Sequence, residues 1–246
     1  MPAEFRLERD VALSAPPQAV WEAVTTATGT RGWLYAMDVE PRVGGTVSRG
    51  PATVTVWDPP RGFACRYADG TGFSNTLTYE PRAADGGGSV LGMSIHWVHE
   101  GEPDDGWDLR ADAATHYADF YHHSLREYLT HFRGEPTAYI RADRPAAAED
   151  GPGQFARVLR AIGVGDDTAT GDKVVFAPDG MPSRDAVVDH RDANFLGLRT
   201  DDGLYRFFNG TAWHWPLWIG HHRFGPGIDT DEETRTWSAW LEATAP

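Results

Sequence analysis

The sequence predicts an α+β protein in which a curved antiparallel sheet surrounds one long helix, with a second and smaller α+β unit after it. Three observations carry this reading. Short segments between Gly44 and Val98 alternate apolar and polar residues, the two-residue period of half-buried strands. The period becomes helical from Ala111 to Phe132, with apolar side chains along one stripe. The same succession, strands and then a helix, comes again in the second half.

The first strand is predicted over residues 5–13, where Phe5, Leu7, Val11 and Leu13 alternate with Arg6, Glu8 and Asp10. Pro16 and Pro17 suit a first helical turn, and Val20, Trp21, Val24 and Ala27 follow at helical spacing. Strands are then expected over 46–49, 52–58, 63–67, 76–80 and 90–98. Pro59, Pro60, Arg61 and Gly62 break one pair, and the Asp85–Gly88 run closes a hairpin. No lysine or helix start follows these glycines, so they form a turn and not a phosphate cradle. The long helix carries Ala114, Tyr117, Tyr121, Leu125, Tyr128 and Phe132 on one face.

Residues 135–153, rich in Pro, Ala, Asp and Glu, read as a linker between a first domain, 1–134, and a second, 154–246. Beyond it, Phe155, Val158, Leu159 and Ile162 mark a helix that Gly163 ends. Strands are expected over 173–177, 186–190, 195–200 and 204–208, with Asp201, Asp202 and Gly203 as a hairpin turn and a further strand within 215–224. The last helix opens on a capping box from Thr230 to Glu233 and turns Trp237, Trp240 and Leu241 inward. Those residues present more apolar surface than four short strands cover. The second unit is therefore expected to dock on the first or on a second copy of the chain.

Composition bounds the function. Of 246 residues, 41% are hydrophobic and 24% charged, a balance that builds a globular core. The net charge of −14 opposes nucleic acid and anionic membrane surfaces, and the basic residues, such as Arg157, Arg160, Lys173 and Arg184, are scattered singly. The charged start and the absence of a long apolar run predict no membrane insertion and a cytoplasmic protein. A lone Cys65 leaves no internal disulfide and reads as a small buried hydrophobe. His96 and His99 fall on opposite faces of a strand, as do His221 and His222, and His116 and His123 stand two helical turns apart, so no metal site is expected. The loop from Gly163 to Lys173 has three aspartates and the wrong spacing for phosphate. No serine elbow is present, and no cofactor is predicted.

Along this order lie words that resemble a known family: Ala15-Pro16-Pro17 with Val20-Trp21-Glu22-Ala23-Val24, then Arg31-Gly32-Trp33, Val56-Trp57-Asp58-Pro59-Pro60-Arg61, Thr76-Leu77-Thr78-Tyr79-Glu80 and Leu125-Arg126-Glu127-Tyr128-Leu129. Residues 4–133 are similar to the activator-of-heat-shock-protein-ATPase-like (AHSA-type) branch of the START-like, or SRPBCC, superfamily. The resemblance implies a helix-grip domain with a cavity between sheet and helix. Where the family has a tryptophan midway along the last helix, this chain has Phe120 or Tyr121. The second unit resembles a truncated helix grip that lacks its opening strand and helix.

Alternation turns Phe63, Cys65 and Tyr67, Leu77 and Tyr79, and Leu91, Met93, Ile95 and Trp97 toward the helix, opposite Tyr117, Tyr121 and Leu125. Apart from Cys65, these are the candidate ligand-binding residues. The expected function is noncatalytic binding of a small apolar or lipid-like molecule. One alternative is a cyclase- or dehydratase-like enzyme using His96, Tyr117 or Arg66. Another is an interaction module resembling a chaperone ATPase activator, with a chaperone or a homodimer as partner. Trp213, Trp215 and Trp218 are core or, if exposed, an interaction surface.

Overall fold

The computed structural model describes residues 2–144 and 153–245. The chain divides into two compact units, Met1–Arg133 and Gly134–Pro246.

In the first unit, β1 (Ala3–Leu13) leads into two short helices, α1 (Pro17–Thr25) and α2 (Ala27–Arg31). Strands β2 (Thr46–Val47), β3 (Ala52–Asp58), β4 (Gly62–Ala68), β5 (Phe73–Ala83) and β6 (Ser89–His99) follow, and α3 (Trp107–His131) ends the unit. The sheet order is β1-β6-β5-β4-β3-β2, so the first strand closes on the last. With the long helix this is the helix-grip arrangement.

Register explains why the apolar alternation is so legible here. Leu7, Ile95, Leu77, Cys65 and Val54 are partners across five strands, and all are buried. A slip of one residue would turn that whole row to the outer face. Arg9, on the same face as Leu7, reaches α3 and donates to both carboxylate oxygens of Asp119 at 2.8 and 3.1 Å. Gly32 follows α2 where a side chain would collide with the Tyr128 ring of α3, which explains the Gly32 of the Arg31-Gly32-Trp33 word.

The second unit corrects two expectations. Residues 135–153 are not simply a linker, because Thr137–Asp143 forms strand β7, paired antiparallel with β12. The remainder of the expected linker, 145–152, lies outside the described residues. Nor is the grip truncated. After β7 come α4 (Gln154–Ala161), β8 (Lys173–Phe176), β9 (Arg184–Arg191), β10 (Phe195–Arg199), β11 (Gly203–Phe208), β12 (Trp218–Phe224) and α5 (Thr230–Thr244). Their sheet order, β7-β12-β11-β10-β9-β8, repeats the topology of the first sheet strand for strand. Phe155, Val158, Leu159, Ile162, Trp237, Trp240 and Leu241, expected to need an outside surface, are buried with Ile140, Ala142, Phe176 and Phe207 in the unit's own core. The missing cover was β7 itself.

Smaller differences have local causes. The cap of α5 is Asp229, whose carboxylate accepts from the Asp231 and Glu232 backbone N–H groups, which makes Thr230 the first helical residue. The strand expected within 215–224 begins at Trp218, since a 3-10 turn (Thr211–Trp213) and Pro216 precede it. Trp213 and Trp218 are core, and Trp218 stacks on Phe208 with 3.7 Å between ring centroids, whereas Trp215 is 38% exposed. Arg206 and Asp189 form an ion pair with 1% and 4% of their side chains exposed, and Gly197 lies so close beneath it that a methyl group there would meet both partners.

Candidate functional site

A cavity of about 150 Å³ lies between the inner face of the first sheet and α3. Of the residues that alternation turned inward, Leu77, Tyr79, Met93, Ile95 and Trp97 form its sheet wall, and Tyr117 and Tyr121 its helix wall. Tyr121 lines the cavity, whereas the neighbouring Phe120 is fully buried.

The structure leaves the other candidates outside this space. Phe63 packs against Trp57 and Tyr79, with centroids 6.1 and 6.4 Å apart, while Leu91 and Leu125 have no exposed surface. The sheet is longer than the cavity. α1 packs on β5 and β6 and places Val20, Trp21 and Val24 in the core, so strand positions beyond the cavity face side chains and not a void. Tyr67 lines a neighbouring hollow of about 190 Å³ together with Cys65, Asn75, Arg49 and Leu77, and the last two are shared with the main cavity.

Sequence reasoning missed the remaining wall: Trp33, Leu34, Tyr35 and Met37 after α2, Arg49 after β2, and Ala114, Ala118 and His122 on α3. Residues 33–37 have no period to read. They are held by single polar bonds, the Trp33 indole N–H donating to the Ala23 carbonyl at 2.9 Å and the Met37 N–H to the Thr30 hydroxyl at 2.8 Å. Arg49 is brought beside them because Asp38 and Ser48 exchange hydrogen bonds, Ser48 N–H to the Asp38 carbonyl and Asp38 N–H to the Ser48 hydroxyl, both at 2.9 Å. Gly50, at φ +68°, then turns the chain into β3.

The polar groups of the cavity are few and mostly buried. Arg49 is half-buried, and among the described residues it makes no ion pair. Burial works against its charge, yet its pKa lies above the usual arginine value, with the Tyr35 hydroxyl beside it. Burial also pushes the Tyr79 hydroxyl and the Cys65 thiol up, so both stay protonated at neutral pH. It pulls His122 down to about 4, so that its ring is neutral. Among the described residues, the Trp97 indole N–H and the His122 Nδ1 find no hydrogen-bond partner, and both are buried. Such groups cost stability unless something else satisfies them.

The residues considered for catalysis are dispersed. Arg66 is exposed on β4, and His96 lies between Glu4 and Arg6 at 3.4 and 3.5 Å on the other face of the sheet. Only Tyr117 reaches the cavity. Among the described residues, no three His, Cys, Asp or Glu side chains gather as a metal site would require, and no helix is long and apolar enough to cross a membrane. In the second unit the space between sheet and helix holds packed rings: Trp237 lies 6.1 Å from Phe176, 6.0 Å from Tyr205 and 4.4 Å from His221.

The sequence matches no family model and no curated protein. Among solved structures, it is similar to a putative uncharacterized protein from Rhizobium leguminosarum, at 17% identity over 52% of this chain and 97% of that one, with a TM-score of 0.38. A protein of unknown function from Staphylococcus aureus is 12% identical over 52% and 95%, with a TM-score of 0.44. A putative protein in the dynemicin biosynthetic locus is 14% identical over 98% and 95%, with a TM-score of 0.41.

Proposed function

We propose that the first unit binds a small, mainly apolar molecule between its sheet and α3, without catalysing a reaction on it, and that it belongs to the AHSA-type branch whose sequence words it carries. The observation that supports binding is the cavity itself, whose walls of Leu77, Met93, Ile95, Tyr117 and Tyr121 leave space where a packed core would leave none. Its size narrows the ligand. A void of this volume takes a single benzene-sized ring, whereas drug-sized ligands need upwards of about 300 Å³. A small aromatic compound fits better than a lipid chain.

The branch assignment gains support from the Trp57-Asp58-Pro59-Pro60-Arg61 word. Arg61 folds back to donate to both oxygens of Asp58 at 3.0 and 2.8 Å, so the motif is a self-closed turn between β3 and β4. Catalysis is the weaker reading because Arg66 and His96 stand outside the cavity.

Toluene titrated into the intact protein should shift the Met93 and Ile95 methyl resonances, with a Kd of about 0.1–1 mM for a ligand of so few atoms. Met93→Trp should fill the cavity and abolish the shifts while the protein stays folded. Unchanged binding in that variant would place the ligand elsewhere.

A further inference from the structure

The cavity is lined mainly by apolar side chains, yet one of its walls is an arginine. We propose that Arg49 makes it a site for a small apolar carboxylic acid: the hydrocarbon lies among Leu77, Met93, Ile95, Tyr117 and Tyr121, and the carboxylate rests on the Arg49 guanidinium beside the Tyr35 hydroxyl. The inference rests on the binding function proposed for the cavity and names the class of ligand.

Charge pairing sets Arg49 apart. This chain has 36 acidic residues against 22 lysines and arginines, so partners for a cation are abundant. Other arginines take them, as Arg9 takes Asp119, Arg61 takes Asp58, Arg82 takes Asp10 and Arg206 takes Asp189. Among the described residues Arg49 finds none, although it is half-buried and lines an apolar space. A desolvated guanidinium carries an unmet demand for an anion, and its planar fork of donors matches a carboxylate.

Its position sets it apart as well. Arg49 and Leu77 are shared between the 150 Å³ cavity and the adjoining hollow of about 190 Å³. A ring in the first space thus has its acid group at the wall they share, where the second gives it room. The neutral His122 and the unpartnered Trp97 N–H leave the remaining polar lining without a competing charge.

Benzoate and its neutral isostere benzamide distinguish this inference from the reading beneath it. With the intact protein at pH 7.5, calorimetry should show benzoate binding at least about 10-fold tighter than benzamide, the scale of a charge-assisted pair. Arg49→Gln should bring the two within about 2-fold. Arg49→Lys should keep part of the preference, because it retains the charge without the fork. Equal affinities in the wild-type protein, or a preference that survives Arg49→Gln, would overturn the carboxylate subsite and leave the apolar site standing. Binding of neither compound, nor of toluene, would overturn both. The wild-type comparison decides even if Arg49→Gln does not fold.

Discussion

His122 has 6% of its surface exposed and stacks its ring 6.2 Å from that of Trp33, and burial lowers its pKa from 6.5 to about 4. The consequence for stability has a definite sign. Between pH 6.5 and 4 the unfolded imidazole binds a proton that the folded one does not, so acidification favours unfolding in that window. At pH 5 the first unit should be less stable than at pH 7.5 by about 2 kcal/mol from this group alone. Hydrogen exchange of the α3 amides in the intact chain, corrected for intrinsic rates, should show this loss, and His122→Phe should remove most of it. Equal protection at both pH values in the wild-type protein would mean that His122 titrates normally. Neither His122 nor Arg49 was legible as a cavity residue in the sequence. Alternation assigns faces within strands, and Arg49 lies in a turn after β2, where the bonds between Asp38 and Ser48 and not any period decide its direction.

At the scale of elements, the strands that were easy to read are those whose inward positions hold large side chains. In β6 these are Leu91, Met93, Ile95 and Trp97, and the observed strand, Ser89–His99, extends the expected 90–98 by one residue at each end. β7 obeys the same alternation, with Ala138, Ile140 and Ala142 buried, but two of its three inward residues are alanines. Alanine buries little apolar surface and has low strand propensity, so the acidic and proline-rich flank outweighed it. Ile140 is consequently the residue that distinguishes a strand from a linker. Its partner across the ladder is His221, and it has no exposed surface. Ile140→Ala should destabilise the second unit by about 3 kcal/mol, read from urea denaturation of the intact chain, whereas the same change in a linker would be neutral. The α4 helix was legible for the opposite reason. Phe155, Val158, Leu159 and Ile162 are large and helically spaced, and Gly163, at φ +85°, ends the helix as a left-handed residue should.

For the whole molecule, the decisive feature is that the chain contains the same topology twice, and this could not be read while β7 was taken as linker. Without its opening strand the second half had an apolar helix pair and too few strands to cover it, and docking on another surface followed. With β7 in place the sheet has six strands, α5 packs on β7, and Trp237, Trp240 and Leu241 share one core with Ile140 and Ala142. A unit with its own core and a complete six-stranded sheet meets the conditions for independent folding. Residues 134–246 expressed alone should therefore be monomeric and melt in one cooperative transition. Residues 154–246 should not: removing β7 leaves the β12 edge unpaired, empties the space of Ile140 and bares the face of α5 that rested there. That shorter fragment should be insoluble or self-associated, as measured by sedimentation and thermal melting of the two fragments side by side. If both behave alike and fold, β7 is dispensable to the grip. If the longer fragment also aggregates, the second unit depends on a surface beyond its own core, and its completeness as a fold is not sufficient for its stability.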